Sequence, residues 1–132
     1  MTTERPRITA TSVTVMTPDP FRSAEFYAAL LGVEVATREP APPGAPQVAG
    51  FAQVRLSHLT LNLEYEEQWT TPVWPARPGS QTSTAHLDLW VEDLEDAGAW
   101  AERCGATLAT VQPQDDVRVY LDPVGHPFCL FL

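Results

Sequence analysis

The sequence predicts an α+β fold made of one βαβββ unit used twice, and two observations carry that prediction. Residues 12–32 read SVTVMTPDPFRSAEFYAALLG and residues 86–105 read HLDLWVEDLEDAGAWAERCG, each an alternating strand, an Asp, a short amphipathic helix and a Gly. Ser12 precedes Asp19 by seven residues, as His86 precedes Asp93, and Phe26 stands from Asp19 as Trp100 stands from Asp93. A half-length unit with one apolar sheet face cannot bury that face alone. The copies therefore pack together and share a cleft, which is where function is to be sought.

The first strand, about Thr9 to Met16, sets Val13 and Val15 on one face and Ser12, Thr14 and Met16 on the other. Asp19 caps the helix that follows, Pro20 takes the first helical position, and Gly32 provides a left-handed stop. Ala24, Tyr27, Ala28 and Leu31 form its inward stripe. Residues Glu39 to Gly50, EPAPPGAPQVAG, are too rich in Pro for regular structure and read as a loop. A hairpin follows, with arms at Phe51 to Arg55 and His58 to Tyr65. In the second arm Leu59, Leu61 and Leu63 face helices, while His58, Thr60, Asn62 and Glu64 face solvent or the cleft.

Residues Glu66 to Ala85 form a connection longer than compact domains usually tolerate without a function or mobility. It carries Trp69 and Trp74, so it reads as an arm crossing between the modules. In the second module Leu87, Leu89 and Val91 face the core and His86, Asp88 and Trp90 the opposite side. Asp93 caps a helix with the stripe Leu94, Ala97, Ala101 and Cys104, ended by Gly105. Strands near Thr107 to Val111 and Val117 to Leu121, the turn DPVG, and a last strand through Leu132 complete the plan.

Composition removes several functions. The 132 residues suit one domain, with modules at about 9–65 and 86–132 and the arm at about 66–85. Net charge is −9, and every one of the eight basic residues is Arg. Schiff-base catalysis, a phosphate loop with its Lys, and a polybasic nucleic-acid surface are disfavoured. No apolar stretch approaches the roughly 20 residues of a membrane span, and MTTERPR has no signal-like core, so a cytoplasmic location is expected. Cys104 and Cys129 lie far apart, which fits a reduced compartment.

The segments DPFRSAEFYAALLGVEV, HLDLWVEDLEDA and DPVGHPFCL, in this order, resemble the vicinal oxygen chelate superfamily of glyoxalases, bleomycin-resistance proteins and extradiol dioxygenases. The resemblance runs from about Thr9 to Leu132 and is nearest to the glyoxalase-like subgroup common in actinobacteria, which shares a loop like TTPVWP and an FCL ending. It implies that the two modules curl their mixed sheet into a cup with the helices outside. It also implies a chelating set that this chain carries only in part. Ser12 stands where metal-dependent members begin with His, His86 matches the second His, and Cys129 replaces the Glu of the usual DPxGxxxE ending. The fourth position is Glu64 or His58, depending on register. A metal is therefore not favoured; if one binds, His86 and Glu64 are its expected ligands.

Within such a cup, Glu64 and Asp88 beside His86 make a candidate acid–base set. Trp90, Tyr120, Phe131 and Met16, with Trp69 and Trp74 as further candidates, provide walls for a flat, partly apolar molecule. Ser12, Thr14, His58, Asn62, Arg118 and Cys129 complete the expected ligand-binding positions. Ordinary readings stand beside these: His86 as a hydrogen-bonded cleft residue, Cys129 and Cys104 as small apolar groups, His126 as a turn residue, and the carboxylates ion-paired with Arg118 or Arg55. Three functions remain open. The first is a lyase- or isomerase-type enzyme working by proton transfer on a small molecule. The second is a non-catalytic protein that sequesters an aromatic or amphiphilic compound, and the third a metal-dependent dioxygenase or glyoxalase. A homodimer is expected from the resemblance and from the open sheet edges.

Overall fold

The computed structural model describes residues 4–132. Its first module runs β1 (Ser12–Thr17), α1 (Pro20–Leu31), β2 (Thr37–Glu39), β3 (Phe51–Arg55) and β4 (Thr60–Tyr65). Its second runs β5 (Asp88–Trp90), α2 (Leu94–Cys104), β6 (Thr107–Leu108), β7 (Val117–Leu121) and β8 (Pro127–Phe131). The strands form two four-stranded mixed sheets of identical plan, β1-β4-β3-β2 and β5-β8-β7-β6. In each, the first strand lies parallel to the last of its module and the remaining pairs are antiparallel. The repeat seen in the sequence is thus a repeat of topology, and β1 and β5 are edge strands of their sheets.

The helix signals act as the chain implies. Asp19 and Asp93 accept hydrogen bonds from the backbone N–H groups of Arg22 (3.2 Å) and Asp96 (2.9 Å), satisfying donors that the first turn leaves free. Gly32 and Gly105 end the helices at φ 71° and 116°, a conformation that costs a side-chain-bearing residue strain. Between β1 and α1, the buried Thr17 and Ser23 hydroxyls lie 2.7 Å apart, and Thr17 Oγ1 also accepts from the Asp19 N–H at 3.1 Å.

One core joins the modules. Leu61, Leu63, Ala52 and Val54 from the first sheet pack under α1, and Phe128, Leu130 and Tyr120 from the second belong to the same cluster. The Phe26 and Tyr27 rings of α1 reach Phe128, at centroid distances of 5.7 and 6.2 Å, and Tyr120 stacks on Phe128 at 5.9 Å. Burying each such ring stabilises by about 1.5–3 kcal/mol, with about 0.5–1.5 kcal/mol more for favourable ring pairing. Two polar links fasten the joint: the Tyr27 hydroxyl donates to Asp122 Oδ2 at 2.6 Å, and Trp100 Nε1 donates to the Leu30 carbonyl at 3.1 Å.

Several expected boundaries and faces shift. The segment before the Pro-rich loop holds the short strand β2, reaching Glu39, where the loop was expected to begin. The Leu56 N–H donates to the Leu59 carbonyl at 2.8 Å and closes a turn that takes in His58, so β4 starts at Thr60 and His58 is an exposed turn residue. Tyr120 and Arg118 do not face the cleft. Tyr120 pairs in register with Phe128 and Arg118 with Leu130, and both partners belong to the helix-covered core. Tyr120 is only 5% exposed. Arg118 turns its guanidinium onto the carbonyls of Gln114, Asp115 and Val117. The other face of β7 is apolar too, because Val117 and Val119 pack with Cys129 and Ala109 against Trp74 of the arm. Both faces of this strand are covered, so its alternation does not identify the wet side.

Candidate ligand site at the seam between the modules

The register fixes which side chains share the face of the first sheet away from α1. Ser12 pairs with Thr60, Thr14 with Asn62, Met16 with Glu64, and on the next strand Gln53 with Asn62. A polar row crosses that face. Asn62 Nδ2 donates to Thr14 Oγ1 at 3.3 Å, Gln53 Nε2 to Asn62 Oδ1 at 2.9 Å, and an Arg55 guanidinium N–H to Gln53 Oε1 at 3.2 Å. Gln53 was not among the expected site residues. Its place opposite Asn62 follows from hairpin register, which the turn at His58 sets.

On the second sheet the corresponding face carries Asp88, Trp90, Cys129 and Phe131, with Asp88 opposite Cys129 and Trp90 opposite Phe131. His86 Nε2 lies 3.1 Å from Asp88 Oδ1, with side chains 40% and 60% exposed. Donor atoms of His86, Asp88 and Cys129 all fall within 4.8 Å of one another. Burial pushes the Cys129 thiol pKa up, and the Asp88 carboxylate, by charge and hydrogen bond, raises it further. Trp90 is 64% exposed and stands in solvent rather than in a closed wall.

A cavity of about 320 Å³ opens along the seam, where β1 of one sheet faces the approach to β5 of the other. It is lined by Val13 to Met16, by the arm through Glu66, Gln68, Trp69, Thr70, Pro72 and Gln81 to Ala85, by His86 and Leu87 of the second module, and by His126. Residues of the 66–85 connection supply most of this lining. Thr84, two residues before His86, holds φ 48°, a left-handed conformation uncommon for a β-branched residue. His126 is a turn residue as read: its N–H donates to Asp122 Oδ1 at 2.9 Å, and its ring Nδ1 lies 2.9 Å from the Pro127 carbonyl.

Of the expected site residues, the structure brings Thr14, Met16 and His86 into this cavity, together with Trp69, one of the two further wall candidates. Asp88 and Cys129 join through His86. Ser12 and Asn62 lie on the adjoining sheet face, and Phe131 beside Trp90. Glu64 lies on the first sheet opposite Met16 and is outside the His86–Asp88–Cys129 group, so the expected trio of His86, Glu64 and Asp88 is met only as the pair His86–Asp88. Length was the one sequence signal for the arm residues Glu66, Gln68 and Thr82 to Ala85, which periodicity cannot place.

The chelating set implied by the superfamily does not fit these residues. A hard divalent cation is held by several carboxylates and imidazoles, whereas here the first-sheet positions offer Ser12 and a Glu64 outside the group. His86, Asp88 and Cys129 can offer three donors, one carboxylate, one imidazole and one soft sulfur, which is not the carboxylate-and-imidazole set the superfamily implies.

The family model described as "Glyoxalase-like domain" matches residues 12–131, which takes in both modules and the arm. Among solved structures, the glyoxalase family protein from Enterococcus faecalis is 21% identical with a TM-score of 0.62, over 96% of this chain and 97% of its own. TnmS3, an antibiotic binding protein from Streptomyces sp. CB03234, is 17% identical with a TM-score of 0.61, over 97% and 98%. The fosfomycin resistance protein FosX from Listeria monocytogenes, complexed with Mn(II) and sulfate, is 10% identical with a TM-score of 0.65, over 96% and 92%. At these identities the likeness is one of fold. No curated protein matches in sequence. Repeat, topology and family match agree, and the chain belongs to the glyoxalase-like domain family of the vicinal oxygen chelate superfamily.

Proposed function

We propose that the seam cavity binds a small, partly apolar organic molecule and that His86, oriented by Asp88, transfers a proton on it, a lyase- or isomerase-type activity. The observation that carries this reading is the double membership of His86, which lines the cavity and pairs with Asp88. The Asp88 carboxylate at Nε2 fixes the orientation of the ring and leaves Nδ1 free to exchange a proton with a ligand. Trp69, Met16 and Val15 supply apolar wall, and the Thr and Gln side chains of the arm supply hydrogen bonds that orient a polar substituent. A volume near 320 Å³ is at the lower end of the range for small-molecule sites, about 300–1,000 Å³.

A second reading, binding without chemistry, is favoured by the exposure of the His86–Asp88 pair, since proton-transfer groups work best where water is excluded. His86→Gln separates the two. In a catalyst it lowers turnover by about 100-fold or more, the scale of a lost general acid or base, and leaves ligand affinity nearly unchanged. In a binding protein Trp69→Ala weakens the ligand by about 1 kcal/mol or more through lost aromatic contact, and His86→Gln has no turnover to remove. The free edges of β1 and β5 and the exposed Trp90 also support a homodimer as the working assembly.

A further inference from the structure

We infer that the seam cavity selects a positively charged ligand, an aromatic or amphiphilic amine, over anionic molecules of the same shape. This rests on the cavity being the ligand site. Among the described residues that line it, Glu66 is the one with a permanent charge, and none of the eight Arg takes part. Four of those Arg are held elsewhere. Arg38 pairs with Glu25 at 3.2 Å, Arg103 lies over the Trp100 ring, Arg55 donates to Gln53, and Arg118 donates to backbone carbonyls. An anionic ligand would enter without a cation to receive it, against the field of a chain with net charge −9.

The wall instead offers what an ammonium group needs. Glu66 is held in place, its N–H donating to the Thr17 carbonyl at 3.1 Å and its Oε1 accepting from the Gln68 N–H at 2.9 Å. Because the Pro127 carbonyl can only accept, the His126 Nδ1 beside it carries a proton, and in the neutral tautomer so defined Nε2 can accept a hydrogen bond. Trp69 adds an aromatic surface of the kind cations favour. The one cavity imidazole with an acidic partner, His86, has its charge balanced by Asp88 when protonated.

The test uses three probes of one shape, 2-naphthylmethylamine, 2-naphthalenemethanol and 2-naphthoate, titrated calorimetrically into the full chain at low salt. The expected order is amine, alcohol, carboxylate. The amine should bind about threefold to fivefold tighter than the alcohol and about tenfold or more tighter than the carboxylate, the scale on which one partly exposed ion pair forms or gives way to repulsion. Glu66→Gln should bring the amine to the level of the alcohol and leave the alcohol unchanged. Raising the salt until the Debye length is about 5 Å or less should shrink the amine preference in the unaltered chain, which keeps the test usable if the variant fails to fold. A carboxylate that binds as well as the amine, or an amine preference that survives both Glu66→Gln and high salt, overturns the inference. Equal binding of amine and alcohol overturns it while leaving the cavity a ligand site. Binding by none of the three overturns both.

Discussion

Replacing Tyr27 by Phe removes one hydroxyl and tests the joint on which the seam depends. Tyr27 sits on α1 at 1% exposure and donates to Asp122 Oδ2 at 2.6 Å, across the boundary between modules. Asp122 is itself 4% exposed, and its other oxygen accepts from the N–H groups of Val124 and His126. The Phe ring still fills the space against Phe26 and Phe128, so the apolar contribution is kept. What is lost is a hydrogen bond to a charged acceptor, about 1.5–3 kcal/mol, with Asp122 Oδ2 left buried. For a chain of this length about 2 kcal/mol lowers Tm by roughly 7 °C. Alkaline stability gives a second reading. Burial, with the Asp122 charge and hydrogen bond behind it, holds the Tyr27 pKa well above its usual value, so its stabilisation is fully present below the unfolded tyrosine pKa near 10 and is lost as pH rises beyond it. Urea unfolding followed by circular dichroism at pH 8 and at pH 10.5 should show Tyr27→Phe less stable at the lower pH, with a smaller alkaline loss than the unaltered chain. A cost under about 0.5 kcal/mol at pH 8 would refute the joint, since a surface hydroxyl costs no more than that.

Gly98 on α2 meets the Tyr120 hydroxyl where a Cβ would be, and Tyr120 is stacked and buried, so Gly98→Ala should cost about 1 kcal/mol or more despite Ala's better helix propensity, read from the urea midpoint. Metal analysis of the purified chain should find no stoichiometric Fe, Mn, Ni or Zn; one tight ion per chain, lost in His86→Ala, would contradict the reading of the donor set. Sedimentation at micromolar concentration should give a dimer mass, and a species of 14.5 kDa would leave the β1 and β5 edges and Trp90 without a partner chain.

The repeat was the most legible feature, because capping Asp and terminal Gly act through local backbone chemistry that a neighbouring element cannot override. Alternation placed Ser12, Thr14 and Met16 opposite Val13 and Val15, and Asn62 opposite Leu61 and Leu63, since the first sheet has one covered face and one open face. The same rule failed at Arg118 and Tyr120. In VRVYL the aliphatic side looks like the core, yet Trp74 covers that side and the helix covers the other, so polarity no longer marks water. His58 failed for a different reason: the run HLTLNLEY alternates through the turn, and the Leu56–Leu59 hydrogen bond, not hydrophobicity, ends the strand. The cavity itself was visible only as an over-long connection with two Trp. Its wall is formed by an arm without period, whose path depends on where the two sheets leave a gap.

The central claim is that the ligand site is the seam cavity rather than the open face of either sheet. Titrating ¹⁵N-labelled chain with 2-naphthalenemethanol and following backbone amide shifts tests it residue by residue. The shifts should concentrate at Val13 to Met16, Trp69 and Thr70, and Thr82 to His86, with the Trp69 indole N–H among the largest. Shifts confined to Trp90 and Phe131, or to Gln53, Asn62 and Glu64, would put the ligand on a sheet face and contradict the account.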